Sequence, residues 1–141
     1  MRCAGKSVRR AVLDPGVLVS ALITPSGAPA KLLERARDAE FELIVSPLLL
    51  GELEEVLRRD KFRRYVDLDA VEDYLELLRR IATLAPDPDE SPPLRSVDPD
   101  DDYLIALAFH ESAVLISGDS DLLDLVGGAP ITSPADLALQ P

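Results

Sequence analysis

Chemistry in this sequence falls to its carboxylates. Asp14 closes a short apolar run, Ala11-Val12-Leu13, and Asp119 follows another, Ala113-Val114-Leu115-Ile116, by way of Ser117-Gly118. Asp98, Asp100, Asp101 and Asp102 lie close together just ahead of a third apolar stretch, and Glu52 stands in the first or second turn of a segment that begins at Pro47. Carboxylates gathered from four parts of a chain repel, and each raises its neighbour's pKa unless a cation compensates. His110 is the only histidine and Cys3 the only cysteine, which excludes an internal disulfide and the zinc sites that need several such ligands. Serine–histidine catalysis is disfavoured as well, since no serine sits in a G-x-S-x-G elbow. With oxygen donors alone, the fitting cation is hard and divalent, Mg²⁺ or Mn²⁺, and the chemistry is polarisation of a phosphoryl oxygen and activation of water.

The elements that must position these groups can be read from hydrophobic patterning. Ala11-Val12-Leu13, Leu43-Ile44-Val45 and Ala113-Val114-Leu115-Ile116 read as strands buried on both faces. Helical spacing covers residues 30–39, 47–59, 68–81 and 101–110; in the second of these Leu49, Leu53, Val56 and Leu57 share one face and Glu52, Glu55 and Arg59 another. Thr83-Leu84-Ala85 and Ala129-Pro130-Ile131 read as two shorter strands, residues 134–139 as a last helical turn, and the proline-rich residues 86–99 as a loop. Alternating strands and helices give an α/β fold with a parallel sheet and helices on both faces. Ligands of such sheets bind beyond the carboxyl ends of the strands. Asp14 and Asp119 project to that edge, and the helices carrying Glu52 and Asp102 begin there.

Length and charge set the outer bounds. A chain of 141 residues suits a single domain, 1–141, and 47% hydrophobic with 29% charged residues reads as soluble and globular. No apolar run reaches the ~18 residues of a membrane span and no signal peptide is legible, so the expected location is the cytoplasm. The net charge of −11 disfavours simple phosphate neutralisation, yet residues 1–80 hold 14 acids and 14 bases, whereas residues 81–141 hold 12 acids and Arg95 as their one base. Arg58, Arg59, Lys61, Arg63 and Arg64, just beyond the Glu52 helix, are the candidate phosphate contacts; the bland alternative is a solvated helix end with cations favoured by the dipole. Asp100 and Asp101 likewise serve as capping residues in the simplest reading, His110 falls on the outer side of its helix, and Gly27, Gly127 and Gly128 read as turn residues.

Four pieces in this order, VLDPGVLVSALITPSGAPAKLLE, FELIVSPLLLGELEEVLRRDKF, VDPDDDYLIALAFHESAVLISGDSDLL and ITSPADLAL, resemble the PIN-domain family, in particular its toxin–antitoxin members of the VapC type. The resemblance implies a three-layer α/β/α fold with a central parallel sheet of about five strands. It also implies a metal-dependent endoribonuclease with Mg²⁺ or Mn²⁺ held by Asp14, Glu52, Asp102 and Asp119. Asp98, Asp101 and Asp121 would assist as further ligands, and Ser117 would support the site as a hydroxyl that bonds a carboxylate or water. An RNA substrate, an antitoxin protein partner and a homodimer come with the same resemblance.

One position departs from the family pattern. The usual opening is Asp-Thr-Asn, whereas Pro15 and Gly16 follow Asp14 here, so a side-chain amide and a backbone donor are missing. This opens an alternative function, a catalytically weakened RNA- or protein-binding module on the same fold. An aspartate-nucleophile phosphatase would want a second aspartate at position 16, and a receiver would want its phosphoacceptor where Ser46-Pro47 stands, so both fit less well.

Overall fold

A computed structural model describes residues 10–88, 102–118 and 131–132. Five strands, β1 (Arg10–Leu13), β2 (Glu42–Val45), β3 (Thr83–Leu84), β4 (Val114–Ile116) and β5 (Ile131–Thr132), form one sheet in the order β3-β2-β1-β4-β5. Every pairing is parallel, as near-continuous apolar strands buried on both faces require. Among the described residues the helices are α1 (Pro15–Ile23), α2 (Ala28–Arg37), α3 (Pro47–Leu57), α4 (Leu68–Ile81) and α5 (Asp102–His110), with a 3-10 turn at Asp60–Phe62.

Strand order dictates the layers. From β1 to β2 to β3 the chain steps in one direction, and right-handed crossovers then place α1 to α4 on one face. From β3 it crosses back over the sheet to β4, which puts α5 on the other. Packing agrees: α1 lies against α2 and α3, and α3 against α4, whereas α5 lies on β4 and β1. This is the three-layer α/β/α architecture expected from the sequence. The core runs through Ala11, Val12, Leu13, Leu43, Ile44 and Leu115 of the sheet to Leu18, Leu53, Leu75 and Leu78 on one side and Leu104 and Leu107 on the other.

Three elements differ from their sequence reading. Residues 15–23 form α1, which carries no 3.6-residue pattern because it is apolar nearly all round and buries Val17, Leu18, Val19 and Ala21. The helix expected over residues 30–39 begins at Ala28 and ends at Arg37, because Ala39 takes a left-handed backbone (φ 62°) and turns the chain into β2. The last strand falls at Ile131–Thr132 instead of residues 129–131. The helical turn expected over residues 134–139, Cys3, Gly127 and Gly128 lie outside the described residues, as does residues 89–99 of the proline-rich loop. No single described helix is long and apolar enough to cross a membrane.

Candidate active site

The parallel sheet has its topological switch between β1 and β4, since the chain leaves β1 toward β2 and returns to the other side of β1 only at β4. At such a point the connections at the carboxyl ends diverge and leave a crevice. Register shows what stands there. Leu13 pairs with Ile116, so Asp14 and Ser117, each one residue beyond, face one another across the switch. Val12 pairs with Ile44, so Ser46 lies at the same level just beyond β2. Asp14, Ser46 and Ser117 are the buried polar residues of the described chain.

Asp14 has two local duties. Its Oδ1 accepts the Val17 N–H at 2.7 Å, capping α1, and its Oδ2 accepts the Ser117 hydroxyl at 2.5 Å; its own N–H donates to the Ile116 carbonyl at 3.1 Å. Ser117 therefore bonds a carboxylate, as expected of it. Pro15 costs the site less than its lost donor suggests. It occupies the first turn of α1, where a backbone N–H has no partner within the helix, and Asp14 takes its hydrogen bond from Val17 instead. Gly16 is exposed, and a Cβ there would lie 3.4 Å from Asp14 Oδ1. Position 16 thus borders the carboxylate, and no side chain arrives from it.

Glu52 is half-buried on α3. That helix starts directly after β2 and is held at its first turn by two acceptors: Ser46 Oγ takes the Leu49 N–H at 3.2 Å and Asp87 Oδ2 takes the Leu48 N–H at 3.2 Å. Glu52 Oε2 accepts the hydroxyl of Tyr103 at 2.5 Å. Tyr103 follows Asp102, the first residue of α5, so this bond brings Glu52 to the start of that helix, where Asp102 also stands. Tyr103 and Ser46 are the residues that sequence reasoning did not single out. Ser46 had a signal, a serine before proline at a strand-to-helix junction; Tyr103 had only its adjacency to Asp102.

Asp14, Glu52 and the start of α5 are thus delivered to the carboxyl edge from three elements. Asp98, Asp101, Asp119 and Asp121 lie outside the described residues, and the side chain of Asp102 is not described. Among the described residues no group of three or more histidines, cysteines or carboxylates could hold a metal. The donors that are described fit a hard divalent cation in kind, since both are carboxylates and supply oxygen ligands.

The basic cluster separates into two groups. Arg58 pairs with Glu54 at 2.9 Å and also with Glu72, and these partners, the Glu54 hydrogen bond first, raise its pKa. Arg63 turns inward and donates to the Leu57 carbonyl at the end of α3. Arg59, Lys61 and Arg64 are exposed, and the described ion pairs include none of them. His110 is exposed at the end of α5, as expected.

A PIN-domain family model matches residues 10–121. The chain belongs to the PIN-domain family. Its members are, as a class, metal-dependent nucleases. Among curated proteins this PIN domain is 28% identical over 117 residues to the uncharacterized protein MJ1680 of Methanocaldococcus jannaschii, covering 82% of this chain and 74% of that one. Among solved structures it resembles PAE2754 from Pyrobaculum aerophilum, with TM-score 0.63 and 20% identity over 96% of this chain and 92% of that one. A second likeness is to VapBC2 from Rickettsia felis bound to a DNA fragment from its promoter, with TM-score 0.62 and 11% identity over 88% and 98% of the two chains. At these identities the solved structures speak for the fold.

Proposed function

We propose that this PIN domain is a divalent-metal-dependent endoribonuclease and the toxin of a toxin–antitoxin pair. The observation that carries the reading is the Asp14–Ser117 bond at the switch between β1 and β4, with Glu52 brought to the start of α5 beside Asp102. Asp14, Glu52, Asp102 and Asp119 are the proposed ligands of Mg²⁺ or Mn²⁺, with Asp98, Asp101 and Asp121 as further candidates. When bound, the cation polarises a non-esterified oxygen of the scissile phosphodiester and lowers the pKa of a water. Ser117 and the Val17 N–H fix the rotamer of Asp14, and Glu52 either completes the ligand set or orients the attacking water. Arg59, Lys61 and Arg64 are the cations available to RNA phosphates, and RNA is the proposed substrate.

Asp14→Asn and Asp102→Asn test this. Asparagine caps a helix as well as aspartate does, so Asp14→Asn retains the start of α1. Chelator-sensitive cleavage of a mixed RNA pool in Mg²⁺ or Mn²⁺ is expected from the wild type and is expected to be lost in both variants, with the circular dichroism spectrum retained. Unchanged cleavage in both overturns the assignment. The antitoxin partner, a homodimer and a cytoplasmic location belong to the same proposal and rest on the family resemblance of the sequence, with the likeness to VapBC2 in favour of the antitoxin partner.

The vacancy of side chain at position 16 favours a second reading, a PIN fold that binds RNA or protein and cleaves weakly. Wild-type protein that binds RNA without metal-dependent cleavage selects it.

A further inference from the structure

We propose that Tyr103 is the positioning residue for Glu52, tying α3 to α5 across the carboxyl edge of the sheet; the inference rests on the metal-dependent reading above. The two residues are 51 apart in sequence, and the Tyr103 hydroxyl donates to Glu52 Oε2 at 2.5 Å. The two helices are seated separately, α3 against α1 and α4, α5 against β4 and β1. A hydrogen bond from one to the other therefore links two helices whose main packing partners differ.

The donor is well suited to that task. The Tyr103 ring is half-buried and packs against the hydrophobic core, so its hydroxyl is delivered from a ring with two side-chain torsions, both restricted by neighbours. Glu52, by contrast, has three rotatable side-chain bonds, and ordering them opposes any fixed ligand geometry. The bond occupies one lone pair of Oε2 and leaves Oε1 wholly available to a cation or water. Because Tyr103 adjoins Asp102, one helical turn presents both a proposed ligand and the group that orients another.

The test uses the full chain and Mn²⁺ alone as probe, titrated calorimetrically, with RNA cleavage measured in parallel. Tyr103→Phe keeps the ring and its packing, so the melting temperature is expected to stay within a few degrees of wild type. Its Mn²⁺ affinity is expected to fall about tenfold, the lower end of the loss seen when a partner of a metal ligand is removed. In cleavage, kcat is expected to fall while KM for RNA is unchanged. In a Glu52→Ala background the same Tyr103→Phe change should leave Mn²⁺ affinity where Glu52→Ala alone puts it, because a residue that acts through Glu52 has nothing left to position. Wild-type Mn²⁺ affinity in Tyr103→Phe overturns the inference while the functional reading stands, and so does a full additional loss in the Glu52→Ala background. A wild-type protein that takes up no Mn²⁺ overturns both.

Discussion

Asp14 caps α1 with one oxygen and accepts from Ser117 with the other, so a side chain read as a ligand is also a structural residue. Ser117→Ala tests how far orientation matters: it removes a hydrogen bond to a buried carboxylate, worth about 1.5–3 kcal/mol, and both thermal stability and Mn²⁺ affinity are expected to fall. A serine whose loss lowers stability alone has no part in metal binding. Gly16 supplies a test of opposite sign. Gly16→Asn places an amide beside Asp14 Oδ1, where the Cβ meets ordinary van der Waals contact, and Mn²⁺ affinity is expected to rise. Calorimetry on the variant decides it; affinity at or below wild type means that the missing amide does not limit the site. At this scale the sequence was legible where position at a strand end determines direction, as for Asp14, while the role of Ser117 was legible only through the family resemblance. It was not legible for Tyr103, because that bond depends on how two distant helices lean together and leaves no local spacing.

Among the elements, two positions carry a residue that the local backbone disfavours. Gly51 sits inside α3, and a Cβ there meets nothing within 4 Å, while Ala39 holds a φ of 62°, where alanine is disfavoured and glycine is not. Gly51→Ala and Ala39→Gly are each expected to stabilise the fold by about 0.5–1 kcal/mol. Chemical denaturation of each variant checks this, with an unchanged slope marking a true gain in stability. Tyr74 on α4 belongs to the same scale. Its hydroxyl donates to the Leu18 carbonyl of α1 at 2.7 Å, and burial raises its pKa well above the ordinary tyrosine value. A raised folded-state value keeps this contribution intact below about pH 10, the unfolded pKa, and removes it as pH climbs through the folded one. Stability should therefore decline on the alkaline side, and Tyr74→Phe should flatten that decline while costing about 0.5–1.5 kcal/mol at neutral pH. Most helices were legible from their periodicity; α1 was hidden because burial nearly all round erases the pattern that a half-exposed helix prints on its sequence.

For the whole molecule, the charge of −11 conceals an uneven distribution, and the structure narrows it further. Arg58 is spent on Glu54 and Glu72 and Arg63 on the end of α3, leaving Arg59, Lys61 and Arg64 on the surface of that cluster. Three phosphate contacts on a single strand give a log–log salt dependence of slope about −2. Filter binding of RNA to Asp14→Asn at several salt concentrations measures it; a slope near −3.5, the value for five contacts, would mean that the Arg58 and Arg63 pairings both break on binding. The parallel sheet and three layers were legible because alternation of strands and helices leaves few topologies open. The site's register was not, since it depends on which strands become neighbours.

That strand order also sets when the protein can act. Ala11 pairs with Val114, so the central strand waits for a neighbour made more than a hundred residues later. Chains emerge from the ribosome amino end first, and β1, β2 and the helices between them can assemble while Ser117 has yet to be polymerised. Asp14 then has a cap to make but no crevice to line. Under the proposed function a growing chain has no assembled site until β4 slots in beside β1, and the long-range pairing that slows folding would double as a delay on cleavage.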